Sequence, residues 1–298
     1  MNASVVIPTL NAGPEFEETL ESIRGQEWGG EIELIVVDSS SIDGTVERAE
    51  RFGAKTKVIE RAEFNHGGTR NVGVGMASGE IVALLTQDAL PAGSGWLSAL
   101  AAPFEDPRVA GAYARVVPRP NASPLVERSV QCDLVYSEER LYKTVDDLEE
   151  WHARHPFERR VYGHFNNVSS CVRRSVMDAI PFPMMPFGED LSWGIAALEA
   201  GHAVVYEPSA VVIHSHASSL FGDMARHRED AQLMLSLFGF KNRPNLKNAL
   251  AAFAGEVRKD FVHLGGKSWG ERLRYGLYSP ALRFMQILGQ LRGSNGRR

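Results

Sequence analysis

The chain has 298 residues, 44% of them hydrophobic and 23% charged, which is an ordinary globular composition and enough for one large domain or two small ones. The formal net charge of -5 argues against nonspecific attraction to a polyanion, so no nucleic-acid partner is expected.

Cysteine use and hydropathy indicate the compartment. Cys132 and Cys171 are far apart and have no metal-like spacing, which disfavours a disulfide framework or a zinc module and predicts two core thiols in a reducing compartment. The amino terminus lacks the basic and apolar regions of a signal peptide, and no later run reaches the roughly 18 apolar residues of a membrane span. We therefore expect a cytoplasmic protein.

Apolar, β-branched runs alternate with helical segments over the first 88 residues and predict parallel βαβ units. The predicted strands are ASVVIPT, EIELIVVD, TKVIER and EIVALLTQD. Between them, PEFEETLESIRGQ and DGTVERAERFG have helical spacing, with acidic residues early and a glycine at or near the end.

The pattern changes after Asp88. Residues 91–186 are rich in proline and less regular, with one further clear strand, VAGAYARVVP. From about Ser218 the sequence predicts three helices and no strand, in SLFGDMARHREDAQLMLSLFGF, NLKNALAAFAGEVRKDFVHLG and GERLRYGLYSPALRFMQILGQLRG. This organisation predicts a main domain over 1–217, divided into halves at 1–118 and 119–217, and a helical extension over 218–298.

Polar side chains follow the predicted strands, at the carboxyl ends where parallel sheets bind ligands. Thr9 and Asn11 follow the first strand, Asp38 the second and Asp88 the fourth. A carboxylate that closes an apolar strand needs a partner, whether an amide donor, a base edge or a metal. The alternative for Asp38 is that DSSSIDGT is a turn with capping residues, and capping is favoured for Asp43.

The stretch EFNHGGTRNVG carries His66 and Arg70 on a predicted loop that leads into the helix TRNVGVGMA. Gly67 and Gly68 would permit close backbone approach, and Arg70 can offer a forked donor pair to a phosphate or a base. A phosphate site is therefore predicted here. The alternative is a surface arginine paired with a nearby acid.

Two nucleotide signatures are absent from the sequence. The glycines of GVGMASG precede a strand rather than follow one, and GGKS at 265–268 lacks the earlier glycine because position 261 is Phe. A Rossmann dehydrogenase and a P-loop kinase are excluded.

The segment MPFGEDLSWGIAALEAGHAVVYEPSAVVIHSH places Glu189 and Asp190 at the start of an amphipathic helix, followed by a predicted strand pair that ends in His214 and His216. Acids in a first helical turn also serve the helix dipole. A His-X-His sequence at a strand end projects both imidazoles to one face and, with Asp88, could hold a divalent ion. A structural role for the two histidines is the alternative.

Together these stretches resemble the family 2 inverting glycosyltransferases of the GT-A fold, over about residues 3–217. The resemblance rests on VVIPTLNAG, LIVVDSSSIDGT, FNHGGTRNVG, ASGEIVALLTQDA and FGEDLSWGIAALEAGHAVVYEP, in that order. It implies a three-layer α/β/α fold with a mainly parallel central sheet and a C-terminal helical extension. The half 1–118 would bind a nucleotide-sugar and the half 119–217 an acceptor.

A narrower resemblance concerns the sugar. FNHGGTRN, LLTQDA and HSH are similar to the corresponding stretches of bacterial rhamnosyltransferases, which use dTDP-L-rhamnose to build surface polysaccharides. The implied partners are a nucleotide-diphosphate-sugar, with dTDP-rhamnose favoured and UDP- or GDP-sugars as alternatives, and a glycan or lipid-linked acceptor.

The family resemblance also implies roles for individual residues. Pro8, Thr9 and Asp38 would lie near the base and ribose, and Arg70 near the base or the diphosphate. The same donor site includes Asn11, His66 and Gln87.

Metal and catalytic roles follow in the same way. Asp88, with His214 or His216, would bind Mg²⁺ or Mn²⁺, and Asp190 matches the family's catalytic base. The family often has Asp-X-Asp where this chain reads Thr86-Gln87-Asp88, so one carboxylate is missing and weaker metal binding is expected. The predicted acceptor contacts are Asn166, Asn167, Glu189 and Trp193. For the two asparagines and the tryptophan the alternative is capping and core packing.

The tail is basic, with seven Lys/Arg against one acid over 267–298. Apolar residues with i, i+3, i+4, i+7 spacing lie among arginines and predict an amphipathic helix that contacts an anionic membrane or packs on the domain or on a second subunit of a homo-oligomer. The apolar residues are Phe284, Ile287, Leu288 and Leu291, and the arginines are Arg283, Arg292, Arg297 and Arg298.

Two competing functions are considered. A sugar-nucleotide-binding protein without catalysis would explain the incomplete acidic motif. A nucleotidyltransferase would need a glycine-rich phosphate loop with Lys or Arg near the amino terminus. The segment IPTLNAGPEFEET contains no Lys or Arg, which disfavours this function.

Overall fold

A computed structural model describes residues 2–131, 137–215 and 219–296. The described residues form two compact units, the first comprising 2–117 and 137–214 and the second comprising 118–131, 215 and 219–296. The structure thus groups 118–131 with the C-terminal helices, whereas the sequence placed this segment in the acceptor half. Cys132, His216, Arg297 and Arg298 lie outside the described residues.

The first unit is built on a sheet that has nine strands among the described residues. These are β1 (Ala3–Thr9), β2 (Ile32–Asp38), β3 (Lys55–Val58), β4 (Ile81–Leu85), β5 (Leu90–Pro91), β6 (Val109–Val117), β7 (Leu141–Lys143), β8 (Ser169–Arg173) and β9 (Ala203–Ile213). The four strands predicted from the first 88 residues are confirmed, although β3 ends earlier than TKVIER suggested.

The sheet order is β3-β2-β1-β4-β8-β6-β9-β5, with β7 paired to β9. The first four strands in the chain pair in parallel, as predicted, and β6 is parallel to β9. β8 runs antiparallel between β4 and β6, and β5 and β7 are antiparallel to β9. The sheet is therefore parallel in its amino-terminal half and mixed beyond it.

Twelve α-helices are present in the described part of the chain. They are α1 (Phe16–Arg24), α2 (Thr45–Arg51), α3 (His66–Met76), α4 (Trp96–Ala101), α5 (Pro124–Gln131), α6 (Leu148–Ala153), α7 (Pro156–Tyr162), α8 (Arg174–Ala179), α9 (Glu189–Glu199), α10 (Leu220–Phe238), α11 (Leu246–Leu264) and α12 (Trp269–Ser294).

Helices cover both faces of the sheet. On one face, side chains of α3, α8 and α9, including Trp193 of α9, share a core with alternate residues of the central strands, including Val6 of β1. Neighbouring strand residues point the other way. On that side Trp96 of α4 is buried and donates its indole N–H to Ser169 Oγ at 2.9 Å. This three-layer arrangement is the predicted one, and it leaves the carboxyl ends of the strands as the edge on which a site can form.

Two sequence predictions need correction. Helix α3 begins at His66, with Asn65 as its N-cap, so His66 and both following glycines lie in its first turn rather than on a loop. The predicted strand pair before His214 is a single strand, β9, whose register against β6 shifts between Ala114 and Arg115.

The second unit is helical, as expected for the sequence beyond 218, and is built from α5, α10, α11 and α12. Asp260, which is fully buried, accepts hydrogen bonds from Arg283 Nε at 2.7 Å, Arg283 Nη2 at 2.8 Å and Ser279 Oγ at 2.6 Å. Arg128 Nε lies 2.7 Å from Asp260 Oδ1, the oxygen that also accepts from Arg283 Nη2. This buried network joins α5, α11 and α12.

Helix α12 contains the apolar stripe for which the sequence predicts either membrane contact or packing on protein. Ile287 is buried, Arg283 is held by Asp260, and a Cβ at Gly289 or Gly293 would overlap the backbone of α10. Packing on protein therefore describes the part of this stripe around Ile287, whereas Phe284 is 56% exposed. No helix among the described residues combines the length and apolarity that a bilayer crossing requires.

Candidate functional site

The carboxyl ends of β1, β2 and β4 lie side by side in the first unit. Thr9 is in register with Asp38 across β1 and β2. Just past β1, the Leu10 N–H donates to Gln87 Oε1 at 2.7 Å, and Gln87 Nε2 donates to the Leu10 carbonyl at 3.2 Å. Gln87 therefore ties the end of β1 to the segment after β4, and it brings the predicted donor residues to one edge of the sheet.

Asp38 shapes the loop that follows β2. Its fully buried carboxylate accepts from Thr9 Oγ1 at 2.8 Å, from the Ser41 N–H at 2.7 Å and from Ser41 Oγ at 2.6 Å. Ser41 Oγ in turn accepts from the Asn11 N–H at 2.7 Å. These bonds fit the turn alternative for Asp38, and contact with a donor base or ribose stays a prediction for Pro8, Thr9, Asn11 and Asp38.

Asp43 contacts the start of α2, whose N-cap residue is Gly44. The Oδ1 of Asp43 accepts from the N–H of Thr45, the first residue of α2, at 3.1 Å, and Oδ2 accepts from the Gly13 N–H at 2.8 Å. Hydrogen bonds, chiefly from the Thr45 side chain, lower the pKa of Asp43.

Two of the three glycines of EFNHGGTRNVG, Gly67 and Gly73, lie where a side chain would overlap neighbouring protein. A Cβ at Gly67 would overlap the carbonyl oxygen of Pro183, so this backbone approaches protein rather than a phosphate. His66 is exposed and packs its ring edge-on against Phe64 at 4.9 Å between centroids. Contact between His66 and the sugar donor stays a prediction.

Arg70 is buried, with 4% of its surface exposed. Its Nη1 donates to the His66 carbonyl at 2.9 Å and to Glu189 Oε1 at 3.2 Å, and its Nη2 reaches the Asn167 carbonyl at 3.5 Å. The prediction was an arginine facing a phosphate or, alternatively, a surface arginine paired with an acid. The structure places Arg70 in an ion pair, but inside the protein.

Asp190 lies beside this ion pair at the start of α9. Its carboxylate accepts from the Leu191 N–H at 2.8 Å and from the Asn167 N–H at 3.4 Å. Burial, followed by repulsion from the Glu189 carboxylate, raises the pKa of Asp190 from 3.8 to about 6, although backbone hydrogen bonds and Arg70 act in the opposite direction. A carboxylate with such a pKa is deprotonated at neutral pH and is a stronger base than a solvated aspartate.

The segment just before β8 links this cluster to the segment after β4. The Thr86 N–H donates to the Val168 carbonyl at 3.1 Å, and Val168 follows Asn167, which contacts Arg70, Glu189 and Asp190. Asp88 is two residues beyond Thr86. The predicted catalytic and metal residues therefore converge on the same sheet edge.

Asp88 faces His214 at the ends of β4 and β9. The pairing of Leu90 with Ile213 brings the two residues together, and Asp88 Oδ2 lies 3.4 Å from His214 Nε2. One carboxylate oxygen and one imidazole nitrogen at this separation fit two ligands of one divalent ion. No cluster of three His, Cys, Asp or Glu suited to a metal occurs within the described ranges, and His216 lies outside them.

The four predicted acceptor residues have different environments. Trp193 has no exposed surface, donates its indole N–H to the Ile180 carbonyl at 2.8 Å and packs against Phe165. This corrects the predicted acceptor contact in favour of core packing. Asn167 and Glu189 are also buried, and Asn167 Nδ2 reaches Glu189 Oε1 at 3.4 Å.

Asn166 is the least enclosed of the four. It is half-buried, and its side-chain oxygen accepts from the Val168 N–H at 2.9 Å. A contact between Asn166 and an acceptor stays a prediction.

Thr86 was not predicted as a site residue. Its hydroxyl oxygen is buried and, among the described residues, has no hydrogen-bond partner; the same is true of Arg70 Nε. Buried polar atoms of this kind are uncommon and call for a ligand or a water. The only signal in the sequence was that Thr86 is a polar residue closing an apolar strand.

The sequence matches a known protein family and two bacterial relatives. The family described as Glycosyl transferase family 2 matches residues 4–165. The chain is 33% identical over 220 residues to the O-antigen chain rhamnosyltransferase RfbN of Salmonella typhimurium, a match that covers 72% of this chain and 67% of that protein. It is 31% identical to the O-antigen chain rhamnosyltransferase WbaN of Salmonella anatum, covering 72% and 66%. About a third of each relative is outside the match.

Among solved structures, the mannosyltransferase PcManGT from Pyrobaculum calidifontis in complex with GDP-Man and Mn²⁺ resembles this chain with a TM-score of 0.63 and 19% identity. The likeness covers 99% of this chain and 86% of that one. At this identity it carries the fold alone, and it confirms the predicted GT-A class.

Proposed function

This chain belongs to glycosyl transferase family 2, and on that basis we propose that it transfers a sugar, L-rhamnose in the first place, from a nucleotide-sugar to a hydroxyl of a glycan or lipid-linked acceptor with inversion at the anomeric carbon. The observation that carries the proposal is the cluster at the start of α9, where Asp190 lies beside the Arg70–Glu189 ion pair.

Asp190 is the proposed catalytic base. Its pKa of about 6 keeps it ionised at neutral pH and still basic enough to take the proton of a hydroxyl as the oxygen attacks. The N–H groups of Leu191 and Asn167 fix the carboxylate in place. Positioned base catalysis of this kind contributes roughly 10² to 10⁴-fold to the rate.

Arg70 has a positioning role in this proposal. Its guanidinium binds the Glu189 carboxylate and the Asn167 carbonyl. The N–H of Asn167 in turn contacts the Asp190 carboxylate, so Arg70 helps to position the proposed base. Burial lowers the pKa of Arg70, and the carboxylates of Glu189 and Asp190 act in the opposite direction. Since arginine stays protonated in proteins, its guanidinium offsets part of the charge of both acids. Direct contact with the diphosphate is a further expectation for its unsatisfied Nε.

Asp88 and His214 are the proposed ligands of a divalent cation, Mg²⁺ or Mn²⁺. A bound cation at this place would neutralise the negative charge that develops on the departing nucleoside diphosphate. Sites of this kind often use one or two protein ligands and complete the coordination with phosphate oxygens and water. The single carboxylate at 86–88 is compatible with that pattern.

The donor class is proposed from the relatives. The two Salmonella proteins are named as O-antigen chain rhamnosyltransferases. We therefore favour dTDP-L-rhamnose over UDP- and GDP-sugars for this chain, and a growing surface polysaccharide as the product.

A donor panel tests the proposal. Thermal stability is measured with dTDP-, UDP- and GDP-sugars, with and without Mn²⁺, and transfer is followed by release of nucleoside diphosphate in the presence of an acceptor glycan. The wild-type protein should be stabilised by dTDP-rhamnose and turn it over. Asp190→Asn should keep the stabilisation and lose transfer by at least about 10²-fold, whereas the exposed Asp178→Asn control should keep both.

Two outcomes contradict the proposal. Turnover by Asp190→Asn at the wild-type rate would remove Asp190 from the role of base. Stabilisation by a nucleotide-sugar without turnover by the wild-type protein, across donors and metals, would favour the catalytically inactive binding protein instead.

A further inference from the structure

Helix α12 exposes a stripe of large apolar side chains in its amino-terminal part. Trp269, Leu273, Leu277 and Phe284 are all more than half exposed, with Trp269 at 77% and Leu277 at 75%. At about 100° per residue these four positions fall within about 80° of the helix circumference. The stripe is therefore one continuous face in the amino-terminal part of α12, whereas Ile287, nearer the carboxyl end of the same helix, is buried.

Helix α11 presents a second stripe. Leu246, Leu250 and Phe261 are each more than half exposed, and their spacing also places them within about 80° of one another. Phe261 contacts α12, because a Cβ at Gly276 would lie 3.3 Å from its ring. Val262, at 73% exposed, is adjacent to it. The two stripes thus meet, and we call these eight side chains the apolar hairpin surface.

Basic residues border this surface. Arg272 and Arg274 are exposed and lie about 60° beyond the two edges of the α12 stripe. Residues 246–294 contain eight Lys/Arg and three acids, in a chain whose formal net charge is -5. Of the three acids, Asp260 is buried and Glu271 accepts from Ser268 at the helix cap. Arg283, Lys259 and Lys267 are paired with acids, so the positive charge beside the exposed apolar residues of α12 is that of Arg272 and Arg274.

The hairpin is held together without this surface. The buried ion pair between Asp260 and Arg283, together with Arg128 from α5, fixes α11 against α12. Soluble monomers rarely expose so many large apolar side chains on one face, so the surface calls for an occupant.

We propose that the apolar hairpin surface docks on the surface of a membrane containing anionic phospholipids. A helix that lies in a membrane interface combines a Trp, Phe and Leu face with flanking Lys and Arg, which is the pattern found here. The apolar side chains enter the boundary between headgroups and acyl chains, and Arg272 and Arg274 contact lipid phosphates. The inference does not depend on the transfer reaction proposed above.

Vesicle flotation of the full chain tests the proposal. Phosphatidylcholine vesicles are compared with vesicles in which about a third of the lipid is phosphatidylglycerol, an anionic fraction that strengthens binding of basic surfaces. The wild-type protein should float with the anionic vesicles and much less with the neutral ones. The variant Trp269→Glu, Leu273→Glu, Leu277→Glu should lose at least roughly 100-fold in partitioning, because three large apolar side chains no longer leave water.

A matched control separates the surface from a general effect of charge. Leu148→Glu, Phe157→Glu, Phe221→Glu makes the same chemical change at three exposed apolar residues outside the hairpin surface, and it should keep most of the binding. Arg272→Gln with Arg274→Gln retains the apolar stripe and should reduce only the preference for anionic vesicles. Circular dichroism and thermal melting confirm that each variant is folded.

The proposal is overturned if the wild-type protein floats with neither vesicle, or if the hairpin triple variant floats as well as its control. It is also overturned if the wild-type protein forms a concentration-dependent dimer in sedimentation, the hairpin variant abolishes that dimer, and vesicles do not compete with it. That result would assign the surface to a second copy of the chain.

Discussion

Asp190→Asn should stabilise the folded protein at neutral pH while it removes transfer. The asparagine resembles the protonated aspartate in shape and keeps an oxygen that can accept from Leu191 N–H, but it carries no charge. In the wild-type protein that charge is desolvated by burial and lies beside Glu189. A residue that serves the reaction is thus expected to weaken the fold.

The size of the effect follows from the pKa of Asp190, which is about 6 instead of 3.8. Each pKa unit corresponds to about 1.4 kcal/mol between the two protonation states, so the ionised form costs at most about 3 kcal/mol of unfolding free energy. Below pH 3.8 the carboxyl is protonated in both folded and unfolded chains and the cost is absent. As pH rises from about 4 to 6 the wild-type protein loses this stability, and above about pH 6 the loss is complete.

Urea unfolding of both proteins from pH 4 to pH 8 measures the difference. The variant should be more stable by up to about 3 kcal/mol at pH 8, and the difference should shrink by about 1.4 kcal/mol per pH unit between pH 6 and pH 4. Asp178→Asn, on the exposed side of α8, controls for the loss of one carboxylate. If Asp190→Asn is no more stable than wild type at pH 8, or if its advantage does not change with pH, the argument for a desolvated base is wrong.

Three further changes test the packing and charge around the site and the C-terminal helices. Glu189→Gln leaves a buried guanidinium without its carboxylate, so urea unfolding should show a loss of about 3 to 5 kcal/mol; by removing negative charge beside Asp190, it should also shift the acid limb of kcat/KM to lower pH. Gly67→Ala should lower stability by about 1 to 3 kcal/mol in thermal melts through overlap with backbone, whereas Gly75→Ala, in open space on the same helix, should not. Asp260→Asn should cost about 3 to 5 kcal/mol in urea, because two arginines lose their buried counter-charge.

The parallel strands of the sheet were predictable because their apolar runs report burial directly. Strand β8 was not. Its sequence, Ser169–Arg173, begins with two serines, yet it lies in the middle of the sheet between β4 and β6. Ser169 accepts from the indole of Trp96, which is far away in the sequence, and Ser170 donates to the nearby Asn167, so specific partners satisfy both buried hydroxyls. Hydropathy along the chain cannot register such partners.

The candidate site also has features that the sequence predicts and features that it does not. Sequence identified Arg70, Glu189 and Asp190 as candidates, and the helix start at Glu189 was correct. The ion pair between Arg70 and Glu189 joins residues 119 positions apart, so no spacing rule could reveal it. Because the sequence does not reveal Glu189 as the partner of Arg70, an arginine that follows two glycines predicts a phosphate site. Gly67 supported the same assignment, although its missing Cβ makes room for the carbonyl of Pro183.

The charge balance of the cluster favours a reaction over a structural role. One buried arginine needs one carboxylate, and Glu189 already provides it at 3.2 Å. Asp190 adds a second carboxylate to the same enclosed region, and its pKa rises because of burial and, after that, because of repulsion from Glu189. A fold selected only for stability would gain from a neutral residue at this position. The placement of an ionised, poorly compensated carboxylate at the edge where the strands end is what a base for hydroxyl attack requires, and it gives Asp190 the strongest claim to that role among the candidate residues.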